Sequence, residues 1–258
     1  MVQFTQQLKL FIRTVSNIHL PGLDPNVFLF TTPRSGSTWL MEMIWSQPGF
    51  KYCNEPLNLR VPDVVRHLGI TTWEGLYSEA ARPKIETYFR GLIDGSIRFS
   101  NPSPLHKYYR PFTRRIIFKI LNGQEDRISW FADTFNGRIL FLLRHPIPVS
   151  LSRKQLPRLE TFVKSEYKRH FTVKQLTSAE RVIANGSNLE RGVLSWCFQN
   201  AVPLRDRRPD WIVMTYEQTV LEPEVIIRHL ARRLDLPNPE CMLARVAVPS
   251  RSTNLSDV

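Results

Sequence analysis

The chain has 258 residues, of which 42% are hydrophobic and 22% charged, so it can form a packed core and is not expected to be disordered. Thirty-five Lys and Arg residues against 23 Asp and Glu residues give a net charge of +12, which favours an anionic partner such as a nucleotide, an acidic glycan, an anionic lipid or a nucleic acid. No apolar run approaches the roughly 18 residues that a membrane span needs. The three cysteines show neither CxxC nor zinc-site spacing, so we expect buried free thiols in a reducing compartment.

The N-terminal residues show helical spacing of apolar side chains from Phe4 to Val15, and Pro21-Gly22 ends that pattern. This predicts a helical segment within residues 1–25, packed on a domain that fills residues 26–258; a membrane-surface anchor is the alternative. Lys9 and Arg13 interrupt the apolar residues, so the segment does not read as a signal peptide. We therefore expect a cytoplasmic enzyme, although a luminal protein without its targeting segment is equally consistent.

Strands and helices alternate along the rest of the chain. Apolar runs of strand length occupy residues 27–30, 50–53, 115–121, 138–143 and 211–215. Helical patterns occupy residues 38–47, 62–68, 83–94, 125–135, 147–155, 188–204 and 223–234. This alternation predicts a single α/β domain with a mostly parallel central sheet flanked by helices. Ligands of such sheets bind at the carboxyl ends of the strands, so the turns that follow the strands are the candidate sites.

The turn after the first strand, residues 31–38, has the composition of a phosphate-binding loop. Gly36 allows backbone conformations that other residues resist, and Ser35, Ser37 and Thr38 offer hydroxyls. The amides that open the next helix favour an anion, and Arg34 adds a cation that can contact two oxygens. The loop lacks the first Gly and the Gly-Lys pair of a Walker A motif, which weakens the case for a kinase or NTPase.

Two motifs resemble those of the sulfotransferases that use 3′-phosphoadenosine 5′-phosphosulfate (PAPS). Residues 33–38, Pro-Arg-Ser-Gly-Ser-Thr, match the family's phosphosulfate loop, and the Arg form is closer to the carbohydrate and protein-tyrosine branches than to the cytosolic one. In the second motif, Arg144 ends a strand and Ser152 follows eight residues later. The resemblance implies that this pair holds the 3′-phosphate of the nucleotide, with Ser150 as the alternative if the register differs.

The resemblance also implies roles for other residues. Glu55 is expected to act as the general base, and Arg34 and Lys119 to stabilise charge during sulfuryl transfer. The alternative is that Glu55 merely pairs with Arg34 or Arg60, in which case His67 or His106 are the substitute bases. The expected nucleotide-binding residues are Arg34, Ser35, Gly36, Ser37, Thr38, Trp39, Arg144, Ser152 and Tyr216. The tail 249–254 is a further candidate, expected to close over the adenosine.

The expected function is transfer of a sulfuryl group from PAPS, as donor co-substrate and without a metal, to an acceptor hydroxyl. The acceptor stays open among carbohydrate, protein-tyrosine, lipid and small natural-product hydroxyls, with an acidic glycan or a small molecule as the first candidates. The alternatives are a P-loop-type phosphotransferase and a non-catalytic binder of an anionic polymer, led by the basic stretch 153–174. Aromatic residues are not interleaved with those basic residues, so no nucleic-acid partner is expected.

The resemblance covers about residues 26–55, 115–155 and 210–236. This leaves 56–110 and 156–205 as the expected acceptor-specific parts. The oligomeric state stays open.

Overall fold

The computed structural model describes residues 18–98 and 105–250. Its strands are β1 (Ile18–His19), β2 (Asn26–Thr31), β3 (Phe50–Asn54), β4 (Phe112–Thr113), β5 (Arg115–Ile120), β6 (Gly137–Leu143) and β7 (Ile212–Thr215). Its α-helices are α1 (Ser37–Trp45), α2 (Pro62–Leu68), α3 (Ala81–Asp94), α4 (Ile128–Phe135), α5 (Pro146–Leu151), α6 (Thr161–Lys164), α7 (Val173–Asn185), α8 (Asn188–Arg205), α9 (Tyr216–Leu221), α10 (Pro223–Arg233) and α11 (Pro239–Leu243). Short 3₁₀ turns lie at Glu74–Tyr77 and Glu166–His170.

The central sheet has five strands in the order β3-β5-β2-β6-β7, and every pair is parallel. This confirms the predicted parallel α/β sheet. The first strand of the sheet, β2, lies in its middle, with β5 on one side and β6 on the other. Since all five strands run the same way, their carboxyl ends share one edge, and the turns after them meet there.

Both faces of the sheet are buried, as near-continuous apolar runs in parallel strands require. Alternate residues of β2 point to opposite faces: Phe28 and Phe30 belong to one core, while Val27 and Leu29 belong to the other. The first core is covered by α3, α4 and α8, and the second by α1, α10 and α11. The sheet is therefore the middle of three layers. Since helices cover both of its faces, the edge at the carboxyl ends of the strands is where a ligand can approach it.

Some predicted elements have different bounds in the structure. Helix α4 begins at Ile128 rather than at residue 125, and α5 ends at Leu151 rather than at residue 155. Just beyond the end of α5, Arg153 donates to Ser195 and Gln199 of α8. Helix α7 falls in a stretch for which no helix was predicted, although Leu176, Ala179 and Ile183 recur at helical spacing; of its residues only Ala179 is fully buried.

The expectation of three buried thiols is wrong for two of them. Cys53 is buried within the sheet, whereas Cys197 and Cys241 are exposed at the surface. Burial raises the pKa of the Cys53 thiol to about 12, so it stays protonated. Helices α8 and α11 turn these two small side chains outward because larger apolar residues fill their inner faces.

Two predicted segments fall outside the described residues. The expected N-terminal helix, Phe4 to Val15, is one of them; within the described part, residues 18–19 form β1, which pairs with β4. Most of the tail 249–254 is the other. Within residues 18–98 and 105–250, none of the helices combines the length and the apolar character that a membrane crossing demands.

Candidate active site

A cavity of about 840 Å³ opens at the carboxyl edge of the sheet, beside the loop after β2. Predicted site residues that line it are Arg34, Gly36, Ser37, Thr38, Glu55, Lys119 and Ser152. They come from the turn after β2, the turn after β3, the end of β5 and the end of α5. The parallel sheet thus brings together residues that lie far apart in the sequence.

The loop after β2 has a strained backbone. Arg34 and Gly36 both have positive φ, 71° and 83°, and Gly36 is the residue that precedes the first turn of α1. A Cβ on Gly36 would lie 2.5 Å from the ring of Tyr216, which begins α9. Only glycine therefore fits between this loop and the end of β7.

The hydroxyl groups of the loop have different surroundings. Ser35 is fully buried and its Oγ contacts Oγ1 of Thr32, so it stabilises the turn and does not line the cavity. Ser37 and Thr38 do line it, at the N-terminus of α1. Trp39, expected among the nucleotide-binding residues, is packed in the core, where its indole N–H donates to the carbonyl of Val246 at 3.2 Å.

Lys119 lies between the loop and Glu55. Its Nζ donates to Oγ1 of Thr38 at 3.0 Å and forms an ion pair with Oε1 of Glu55 at 3.2 Å. Strand register explains this meeting, because Asn54 of β3 pairs with Lys119 of β5 and the backbone N–H of Glu55 donates to the Lys119 carbonyl at 2.9 Å. The ion-pair partner of Glu55 is thus Lys119, rather than Arg34 or Arg60 as the alternative reading expected.

Glu55 is also held by its own turn. It has a positive φ of 53°, and its Oε2 accepts a hydrogen bond from Nδ2 of Asn58 at 2.9 Å. The Oδ1 of Asn58 in turn accepts from the backbone N–H of Arg60 at 3.1 Å. Asn58 and Arg60 both line the cavity. The sequence reasoning missed Asn58; an Asn three residues after an acidic residue in a Pro-containing turn was the available signal.

Arg144 does not line this cavity but contacts its loop. The NH1 group donates to the carbonyl of Arg34 at 3.0 Å, and the guanidinium lies 4.4 Å from the ring centroid of Tyr216. Its Nε is buried without a hydrogen-bond partner among the described residues.

Ser152 and Ser150, the two alternatives for the second motif, face different surroundings. Ser152 is exposed just past the end of α5, not in its first turns as predicted, and it lines the cavity. Ser150 is buried against α8, where a Cβ on Gly192 would lie 2.7 Å from its Cβ, and its hydroxyl donates to the Pro146 carbonyl at 2.7 Å. The Ser152 hydroxyl also donates to a backbone carbonyl, that of Val149 at 3.0 Å, so it is the position of Ser152 in the cavity wall that favours it over Ser150 as the ligand-facing residue.

Two further arginines of the cavity wall were not predicted as site residues. Arg158 is 3% exposed and donates to Glu125 at 2.6 Å and to the Tyr77 hydroxyl at 2.6 Å, so its charge is compensated. Arg153 has only the neutral partners Ser195 and Gln199 among the described residues. Burial, and then repulsion by Arg158, lower the pKa of Arg153 to about 10.

The two histidines considered as substitute bases lie elsewhere. His67 is exposed on α2, and the ring of His106 stacks on Trp45 at 4.3 Å between centroids. Neither lines the cavity that contains Glu55. Within the described residues no cluster of three or more His, Cys, Asp or Glu side chains is arranged to hold a metal.

No family model matches the chain, and no curated protein matches it significantly. Solved structures similar to it include the sulfotransferase domain of the Synechococcus PCC 7002 olefin synthase, at 20% identity and a TM-score of 0.43, covering 95% of this chain and 82% of that one. Mouse sulfotransferase SULT7A1 complexed with PAP is similar at 14% identity and a TM-score of 0.46, covering 95% and 68%. A sulfotransferase from Alicyclobacillus acidocaldarius is similar at 14% identity and a TM-score of 0.41, covering 91% and 87%.

All three neighbours are sulfotransferases, in agreement with the resemblance of the two motifs, and they do not distinguish the branches of that family. With TM-scores below 0.5, the likeness assigns neither a donor, an acceptor nor a role for any residue of this chain.

Proposed function

We propose that the protein transfers a sulfuryl group from PAPS to an acceptor hydroxyl, with Glu55 as general base. The observation that carries the proposal is the line of contacts from Thr38 through Lys119 to Glu55. It joins a phosphate-type loop at a helix N-terminus to a carboxylate that lines the same cavity. Sulfuryl transfer needs an anion-binding loop for the donor and a base for the acceptor hydroxyl side by side in one cavity.

The loop side suits the donor. Arg34, Ser37 and Thr38 would hold the 5′-phosphosulfate, helped by the amides and the dipole at the N-terminus of α1. Arg144, which is anchored on the loop carbonyl of Arg34, and Ser152 would hold the 3′-phosphate. The contact of Arg144 with the Arg34 carbonyl supports this assignment, because it holds the guanidinium beside the phosphate-type loop.

The Glu55 side suits the chemical step. Glu55 would take the proton of the acceptor hydroxyl while that oxygen forms its bond to sulfur and the bond from sulfur to the phosphate oxygen breaks. Lys119 and Arg34 would offset the negative charge that builds on the departing phosphate oxygen. Positioned base catalysis of this kind contributes typically 10²- to 10⁴-fold to a rate.

Ligand-induced stabilisation tests the proposal against its alternatives. Adenosine 3′,5′-bisphosphate (PAP) at about 100 times its dissociation constant should stabilise the protein by roughly 2.7 kcal/mol, a rise of several degrees in Tm. Magnesium-ATP and a single-stranded oligonucleotide should raise Tm much less. Stabilisation by magnesium-ATP alone would instead indicate a phosphotransferase, and stabilisation by the oligonucleotide alone a binder of anionic polymers.

Chemistry is then tested with PAPS and a panel of hydroxyl acceptors, with the sulfated product identified by mass spectrometry. Product formation that needs PAPS and proceeds without added metal supports the proposal. Tight binding of PAP without any product across glycans, phenols, alcohols and tyrosine peptides would contradict the catalytic part of it.

A further inference from the structure

The cavity wall has more basic side chains than acidic side chains to pair with them. Its basic side chains are Arg34, Arg60, Lys119, Arg153, Lys154 and Arg158, while Glu55 is its single acidic side chain among the described residues. Lys119 pairs with Glu55, and Arg158 pairs with Glu125 behind the wall. The remaining four have no carboxylate within ion-pair distance in the described part of the chain. Such an excess of cations in a cleft favours anionic ligands.

The proposed donor accounts for three of those four cations. Arg34 belongs to the phosphate-type loop, and Arg153 and Lys154 directly follow Ser152, where the 3′-phosphate would lie. Arg60 instead belongs to the turn that holds Glu55. It lies in the segment 56–110, which matched nothing in the family resemblance and was expected to be acceptor-specific.

The position of Arg60 relative to Glu55 is fixed by hydrogen bonds. Asn58 donates from Nδ2 to Glu55 at 2.9 Å and accepts at Oδ1 from the backbone N–H of Arg60 at 3.1 Å. The side chain of Asn58 therefore links the carboxylate of Glu55 to the backbone of Arg60 within one turn. Arg60 itself is exposed and lines the cavity.

We propose that the acceptor is an anionic hydroxyl compound whose carboxylate, phosphate or sulfate ester is bound by Arg60 when its hydroxyl reaches Glu55. The inference rests on the proposed function and adds the chemical class of the acceptor. A planar guanidinium can contact two oxygens of each of these groups. Arg60 then selects the acceptor by charge, while Asn58 keeps the backbone of Arg60 next to the base.

Matched acceptor pairs test this proposal. Each pair shares one hydroxyl; one member carries a carboxylate, a phosphate or a sulfate ester, and the other carries the methyl ester or the free alcohol in its place. With PAPS as donor, kcat/KM should favour the anionic member by about 10-fold or more, the range of a charge-assisted hydrogen bond. The three kinds of pair distinguish which anion the site takes.

The Arg60→Gln variant locates the effect. It keeps the backbone N–H that Asn58 binds, so the turn of Glu55 should stay intact, and the ratio of kcat/KM between anionic and neutral members should fall toward one. The dissociation constant of PAP should be unchanged. The matched control is Arg66→Gln: Arg66 pairs with Asp63 on α2 outside the cavity, and its loss should leave the ratio as in the wild type.

Equal use of both members of every pair, or an unchanged ratio in Arg60→Gln, would overturn the inference while leaving sulfuryl transfer in place. If PAP binds but no member is sulfated, calorimetry of the PAP-loaded protein decides: binding of the anionic members that Arg60→Gln removes supports the inference, and no binding overturns it. If PAP itself does not bind, the proposed function fails, and the inference fails with it.

Discussion

Both carboxylate oxygens of Glu55 are engaged within the protein, one by Lys119 and the other by Asn58. In Glu55→Gln the side chain keeps its shape and loses its basicity. We expect turnover to fall by about 100-fold or more. The dissociation constant of PAP and Tm should stay near those of the wild type, measured by calorimetry and thermal unfolding.

A matched control is Glu86→Gln, which removes a carboxylate that pairs with Arg90 on the outer face of α3. It should leave turnover unchanged. If Glu55→Gln lowers Tm strongly together with turnover, Glu55 serves the fold through its ion pair with Lys119. Normal turnover in a folded Glu55→Gln protein would exclude it as the base.

The role of the Ser152 hydroxyl can be tested by substitution. If this hydroxyl binds the 3′-phosphate, Ser152→Ala should weaken PAP binding by about 10-fold, the lower end of the range for one hydrogen bond to a charged group. Arg144→Ala should weaken it more, by about 10- to 150-fold. Binding of adenosine 5′-phosphosulfate, which lacks the 3′-phosphate, should barely change in Ser152→Ala.

Ser150→Ala is the control, since Ser150 is buried between α5 and α8 and donates to the Pro146 carbonyl. Its PAP affinity should match the wild type. Should Ser150→Ala lose PAP affinity while Ser152→Ala keeps it, the register of the motif is shifted by two residues. Because Arg144 also holds the loop through the Arg34 carbonyl, the serine pair gives the cleaner comparison.

At the scale of elements, the junction between the β2 loop and α1 depends on a close approach of Tyr216 to Gly36. Gly36→Ala adds a Cβ 2.5 Å from that ring at a φ of 83°, so the loop or α9 must move. We expect loss of PAP binding and a Tm lowered by more than the positive φ alone would cause. A left-handed conformation alone costs a non-glycine residue roughly 1–2 kcal/mol.

Gly69→Ala separates the two causes. Gly69 ends α2 with a φ of 65° and has no atom within 4 Å of a Cβ built on it. It should show the cost of the left-handed backbone without the clash, and PAP binding should be retained. Equal destabilisation of the two variants would mean that Tyr216 moves aside freely.

The sequence predicted the strands well because strands buried on both faces are continuous apolar runs, such as residues 27–30 within β2. It missed α7, whose outer face is almost entirely exposed; the capping box of Thr172 and Gln175 was the local signal. It also missed the pairing of β1 with β4, since two-residue strands show no periodicity.

Those residues of the candidate site that belong to the two sequence motifs, or that stand at the end of a predicted strand, could be named from the sequence. Glu55, Lys119 and Thr38 were named from the sequence, but their mutual contact depends on the register of β3 and β5, which no local pattern states. Asn58 and Arg153 were missed because their positions follow from side-chain hydrogen bonds across turns and helices. Trp39, predicted to bind the nucleotide, does not line the cavity, because the face that α1 turns inward depends on tertiary packing.

For the whole molecule, the net charge of +12 adds to the cations of the cavity. The proposed donor is strongly anionic, so its capture should depend on ionic strength. Between about 50 mM and 500 mM sodium chloride, where the Debye length shrinks from about 14 Å to about 4 Å, we expect the affinity for PAP to fall by about 10-fold or more. Binding of uncharged adenosine is the control and should change little with salt. If the affinity for PAP does not depend on the salt concentration, electrostatic attraction does not contribute to its binding.

The all-parallel sheet has a consequence for how the protein acquires activity. Neighbouring strands cannot be joined by a hairpin, and β2 pairs with β6 through Asn26 and Gly137, far along the chain. Contacts of this kind close large loops and form slowly. The cavity takes residues from the turns after β2 and β3, the end of β5 and the end of α5. A chain in which only some of these strands have paired therefore lacks part of the cavity and should not bind PAP. In refolding experiments, recovery of PAP binding should therefore coincide with the last phase of tryptophan fluorescence and should never precede it.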